Sequence, residues 1–204
     1  MPASPLALEW SGRIASLVLD APPKNTTDAA FFEELLRLAT GTLPRLDADG
    51  LVIRGRGRHF SSGADVAELE AILAAKGAAE AAPSLVAHGR ALAQIEALPF
   101  PVVAAIDGAC LGSGLELALA CRFRLATSAA LLGLPECSFG LMPGCGGTVR
   151  LRERVGVGKA IELILTGRLL DADEALEAGL VDAVVGRESL PAAAERLIRA
   201  GRAS

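Results

Sequence analysis

The chain has 204 residues, a formal net charge of -4 and 51% hydrophobic residues. That length suits a single domain over 1–204 with a sizeable core, and the apolar content argues against disorder. The mild acidity, singly scattered basic residues and 3% aromatics give no basis for a nucleic-acid surface. No apolar run reaches the ~18–20 residues of a membrane span.

The start, "MPASPLALEW", has neither a basic opening nor a long apolar run, so no signal peptide is expected. "IASLVLDAP" (14–22) alternates and is rich in branched residues, which predicts a strand ending at the double proline. Asp28 is placed to cap a helix through "AAFFEELLRLAT". "DGLVIRG" (49–55) reads as a turn into a short buried strand, and "HFSSGADVAEL" (59–69) as a loop entering a helix. Residues 71–82, "AILAAKGAAEAA", favour helix but offer few anchoring side chains, so mobility is expected there. "LVAHGRALAQIEAL" (85–98) reads as a helix stopped by Pro99, and "PVVAAIDG" (101–108) as a strand buried on both faces. "ACLGSGLELALACR" (109–122) runs from glycines into a short helix, followed by a strand over 122–127 and a loop over 133–148. The remainder reads as short helices with one strand, 180–185. Strands alternating with helices predict an α/β fold with parallel pairing, without a long linker or a clean sequence repeat.

Four cysteines (Cys110, Cys121, Cys137, Cys145) form no C-x-x-C pair, and the only histidines are His59 and His88. Reduced thiols in a cytoplasmic protein are expected, with no metal site. "GVGKA" (156–160) lacks the first glycine and the Ser/Thr of a phosphate loop. There is no G-x-G-x-x-G after a strand and no G-x-S-x-G elbow.

Three stretches carry chemistry. "GACLGSGLELALAC" holds one ionisable side chain, Glu116, in the first turn of a helix, where the free N–H groups favour negative charge. "FSSGAD" (60–65) is another glycine loop opening a helix. "LPECSFGLMPGCGG" (134–147) holds Glu136, again a lone acid among apolar and turn residues. By itself Glu116 reads equally as a partly exposed glutamate that helps a helix start. Taken together, loops presenting N–H donors suit an oxyanion, and paired carboxylates in an apolar setting can divide acid and base roles.

These motifs, with "PVVAAIDGACLGSGLELALACRFRLAT" and "LTGRLLDADEALEAGLVDAVV", resemble the crotonase, or enoyl-CoA hydratase/isomerase, superfamily over roughly residues 8–200. The resemblance implies a crotonase-like ββα spiral. It places an acyl-thioester carbonyl between the backbone N–H groups of Ala64 and Ser113, with Glu116 and Glu136 around one water and Gly144 opening a helix beside it. It implies hydration of a 2-enoyl thioester, or the reverse, with no cofactor beyond the coenzyme A of the substrate. An acyl carrier protein is the alternative carrier. Enoyl isomerisation, decarboxylation, hydration of a cyclic dienoyl-CoA, or non-catalytic acyl-CoA binding are the alternatives to hydration.

Ser113 departs from the glycine common there; its hydroxyl either donates to the substrate or only packs. Asp65 is a helix cap or a substrate contact, Cys145 a packing residue or a pocket wall, and Lys24 a phosphate contact or a solvated lysine, while His59 is structural. The chain stops at "LIRAGRAS", short of the family's usual C-terminal helical segment, so a trimer-based homo-oligomer is expected only if the family pattern holds.

Overall fold

The computed structural model describes residues 4–65 and 85–201. Its main sheet has the order β1-β2-β3-β4-β6-β9: β1 (Leu6–Ser11), β2 (Ile14–Leu19), β3 (Gly50–Gly55), β4 (Val102–Ile106), β6 (Phe123–Ala126) and β9 (Ala183–Val184). The edge strand β1 pairs antiparallel with β2 through Leu6↔Leu19, and every other pair is parallel. β4, "VVAAI", is buried at every residue, as a continuous apolar run requires of a central parallel strand.

One face of this sheet is covered by α1 (Ala29–Arg37) and by helical residues 85–96 (α2), through Phe31, Phe32, Leu35, Leu92 and Ile95. Asp28 caps α1 as expected, its carboxylate accepting from the Phe31 N–H at 2.7 Å. The other face is covered by α6 (Leu190–Gly201), whose Leu190, Ala194 and Ile198 pack on Ile14, Val103 and Leu125.

A second, three-stranded sheet has the order β5-β7-β8: β5 (Ala109–Leu111), β7 (Leu131–Gly133) and β8 (Leu170–Asp171). Ser61 extends it by a parallel bridge to Cys110, which in turn faces Leu132 of β7. This arrangement produces the expected ββα spiral. β4 turns into β5, which leads into α3 (Ser113–Leu119); β6 turns into β7, which leads through a 3-10 turn (Pro135–Phe139) to α4 (Gly147–Thr166). The stretch after β3 enters the same small sheet at Ser61.

α4 is broken at Gly156, whose φ of 79° and ψ of 166° are not helical, so two short helices run in sequence there. α5 (Ala172–Glu177) is closed at its start by a capping box between Asp171 and Glu174. The strand expected over 180–185 is confined to β9. β1, β5, β7 and β8 were not expected. The last three have two or three residues each, too short for alternation to register. The expectations for 71–82 and for the helix after Asp65 fall outside the described residues.

Candidate active site

The spiral brings three segments to one place. Ser61, Cys110 and Leu132 lie side by side in the small sheet, so Ala64, Ser113 and Pro135 occupy the same position, three residues on, in successive turns. Gly63 and Gly112 precede the first two. Their φ values are 80° and 52°, a region glycine enters without a steric penalty. The loops approach closely: a Cβ on Gly63 would lie 2.6 Å from the Leu111 carbonyl oxygen and 3.4 Å from Gly112 Cα. The residue with positive φ is thus Gly112, and Ser113 begins a right-handed helix, a conformation that serine adopts without strain.

The two peptide planes are fixed. The Thr27 N–H donates to the Gly63 carbonyl at 3.1 Å, and the Glu116 N–H donates to the Gly112 carbonyl at 3.0 Å. A trans peptide points its C=O and its N–H in opposite directions. The Ala64 N–H therefore points away from Thr27, and the Ser113 N–H points out of the start of α3, where the first amides have no intrahelical partner. The Ser113 hydroxyl lies 2.5 Å from Thr27 Oγ1, so it is already engaged within the protein.

Glu116 is not a partly exposed first-turn glutamate: it is 1% exposed. Its Oε1 accepts from the N–H groups of Cys145 and Gly147, at 2.8 and 2.7 Å. Those donors belong to the glycine loop that opens α4. A Cβ on Gly147 would meet Glu116 Cγ and Oε1 at 2.8 Å each, so only glycine allows this approach. Arg150 braces the loop, donating to the Cys145 carbonyl at 3.1 Å while pairing with Glu96. Burial pushes the Glu116 carboxyl above its usual range, opposed by the two N–H bonds.

Glu136 is differently held. Its Oε2 is buried without a hydrogen-bond partner. A Cβ on Gly112 would lie 3.2 Å from its Oε1, which puts the carboxyl beside the entrance to α3. Burial first, and the nearby Glu116 charge after it, push its pKa up to about 7, against a backbone hydrogen bond that lowers it. The Cys145 thiol is buried, and burial together with the Glu116 carboxylate holds it protonated well above the usual thiol range.

The remaining residues divide clearly. Gly144 is exposed, and a Cβ there would touch Leu85 at 3.0 Å. Cys145 joins the site through its main-chain N–H and through its thiol, which also hydrogen-bonds to Glu116. Asp65 and Lys24 are exposed; the Lys24 carbonyl accepts from Ser62 N–H at 2.9 Å. His59 is structural, its Nδ1 accepting from Ala109 N–H at 3.0 Å. A separate hollow beside the start of α6, lined by Arg54, His59, Asp107 and Arg187, shares no residue with the two-glutamate site. No cluster that could hold a metal ion occurs among the described residues.

Thr27, Gly63, Gly147 and Arg150 escaped the sequence analysis. Gly63 and Gly147 belong to the glycine-containing motifs "FSSGAD" and "LPECSFGLMPGCGG", and the glycine is the signal that marks them. Thr27 and Arg150 carry no local signal.

The family model for enoyl-CoA hydratase/isomerase matches residues 9–201. The chain belongs to the enoyl-CoA hydratase/isomerase family. Among solved family structures, the enoyl-CoA hydratase of Bacillus anthracis is 34% identical, covering 98% of this chain and 77% of that one, with a TM-score of 0.87. Pseudomonas aeruginosa DspI is also 34% identical, over 99% of this chain and 76% of that one, at 0.85. A protein assigned as an enoyl-CoA hydratase from Thermobifida fusca, solved with acetoacetyl-CoA, is 31% identical over 98% of this chain and 81% of that one, at 0.87. No helix among the described residues of this family member is long and apolar enough to cross a membrane.

Proposed function

We propose that the protein hydrates a 2-enoyl thioester, or dehydrates the hydroxyacyl product. The observation that carries this reading is the unequal treatment of two buried carboxyls. Glu116 has two N–H donors on one oxygen, and Glu136 has a buried oxygen with none. Hydrogen bonds to a carboxylate favour its charged form, and burial without them favours the neutral one. Glu116 is therefore the base and Glu136 the acid.

A water between them attacks the β-carbon and gives its proton to Glu116. The π electrons move through the α-carbon to the thioester oxygen, where the N–H groups of Ala64 and Ser113 stabilise the enolate. Glu136 then delivers its proton to the α-carbon. A single preorganised donor of this kind contributes about 3–4 kcal/mol, and each acid or base step about 10²–10⁴-fold. No further group is needed for this chemistry beyond the coenzyme A of the substrate.

The acyl-CoA class is supported by the Thermobifida fusca structures solved with CoA and with acetoacetyl-CoA. The four free thiols suit a reducing, cytoplasmic compartment. Homo-oligomer formation is supported by an apolar stripe on α4, where Val149, Val157, Ile161 and Leu165 are each more than half exposed.

The test follows loss of the conjugated-thioester absorbance of crotonyl-CoA, with labelled water to identify the product. The parent is expected to place solvent oxygen in a hydroxyacyl thioester, and Glu116→Gln and Glu136→Gln each to lose about 10²–10⁴-fold in kcat. A shifted double bond without oxygen uptake would make the enzyme an isomerase, and binding without turnover a thioester-binding protein.

A further inference from the structure

We propose that Thr27 is a positioning residue for the enolate-stabilising donors, acting through Ser113; the inference rests on the reading of Ala64 and Ser113 as those donors.

Thr27 stands on a strap, residues 24–27, that is stitched to both donor loops. The Lys24 carbonyl accepts from Ser62 N–H, and the Asn25 carbonyl accepts from Ser61 Oγ at 2.7 Å. Thr26 forms a parallel bridge with Gly63. Asn25, 1% exposed with φ 50°, anchors the strap by donating from Nδ2 to the carbonyls of Arg56 and His59 at 3.0 and 2.8 Å. From this support Thr27 reaches both sides of the gap. Its N–H holds the Gly63 carbonyl at 3.1 Å, which aims the Ala64 N–H, and its Oγ1 holds Ser113 Oγ at 2.5 Å.

Both hydroxyls are buried, with Thr27 3% and Ser113 8% exposed, and a buried hydroxyl requires a partner. Serine at this position introduces a polar group one residue from the Gly112–Gly63 contact, in a site that also holds the unsatisfied acceptor Glu136 Oε2. Thr27 gives the serine a partner outside the reaction path. It thereby holds the first residue of α3, and with it the Ser113 N–H, at a fixed distance from the Ala64 loop. A donor pair contributes fully only when its spacing is set before the charge develops, and a displacement of about 1 Å can cost about 10²-fold.

The test uses Thr27→Val, which keeps the shape and the main-chain bond and removes the hydroxyl. Thr27→Ser restores the hydroxyl, and Ser113→Ala breaks the same contact from the other side. Each is read by crotonyl-CoA kinetics and by titration of bound acetoacetyl-CoA, whose enolate absorbs in the near ultraviolet. Its ionisation midpoint reports stabilisation of the anion without turnover. The expected result is a 10- to 100-fold lower kcat with KM within about twofold, and a higher ionisation midpoint. Thr27→Ser should recover both, and the valine should have no further effect in the Ser113→Ala background. If Thr27→Val does not fold, Ser113→Ala alone must show the same loss.

A Thr27→Val variant that melts earlier but keeps its kcat and midpoint overturns the proposal. So does an undiminished loss in the Ser113→Ala background. A parent protein that fails to lower the midpoint below that of free acetoacetyl-CoA overturns the donor reading itself, and the role of Thr27 falls with it.

Discussion

Two carboxyls of the same chemical type sit a short way apart and meet different fates, because Glu116 has two main-chain donors on Oε1 while Glu136 keeps one buried oxygen, Oε2, without any. The consequence is a pH dependence of known sign. Glu136 must carry a proton to act as the acid, and burial holds that proton up to a pKa of about 7. Hydration should therefore fall by tenfold per pH unit above about 7. That limb should vanish in the residual activity of Glu136→Gln, which has no proton to lose. A pH–rate profile of kcat/KM, which reports the free enzyme, checks this for the two proteins, and the dehydration direction should show the opposite requirement, with Glu136 ionised.

The short elements do the positioning. The loop between Glu136 and α4 supplies the Cys145 N–H, the first residue of α4 supplies the Gly147 N–H, and Arg150 ties the loop down from the first turn of the helix. A methyl group on Gly147 would lie 2.8 Å from both Cγ and Oε1 of Glu116, a side chain that is itself enclosed. Gly147→Ala should leave most of the fold intact while displacing Glu116. The expected outcome is a loss of about 10²-fold in kcat, with a modest fall in melting temperature, read by kinetics beside thermal unfolding. At this scale the sequence was partly informative. Asp28 announced α1, the glycines announced the entrance to α3, and "VVAAI" announced a central strand, whereas the helix expected to open at Gly144 opens at Gly147. Strands of two or three residues stayed hidden, because pairing with a distant neighbour, not local pattern, makes them strands.

The whole molecule is a spiral whose turns resemble one another in space and not in sequence. Ala64, Ser113 and Pro135 are equivalent positions, yet the motifs "SSGAD", "LGSGLE" and "GLPEC" share almost nothing. The exposed stripe on α4, with Val157 at 60%, Ile161 at 53% and Leu165 at 65% exposure, belongs to this scale too. Light scattering should give a particle several times the 20.9 kDa chain mass. Ile161→Arg should shift it toward the single-chain mass, since an arginine placed in an apolar contact leaves a charge without water or partner. A parent that scatters as one chain would remove the assembly from the proposal.

The sequence by itself pointed to the family, because glycine loops, lone acids and an apolar strand in fixed order are local features; that resemblance implied the spiral and named Glu116 and Glu136 as candidates. It determined the chemical types at the site, but not their states. Only the tertiary structure decided that Glu116 is enclosed and doubly bonded, that Glu136 keeps an oxygen without a donor, and that the Ser113 hydroxyl is turned toward Thr27, 86 residues away along the chain. Burial and hydrogen bonding depend on which distant segments meet. Those meetings are set by the packing of the whole spiral and leave no mark on the residues adjoining each position.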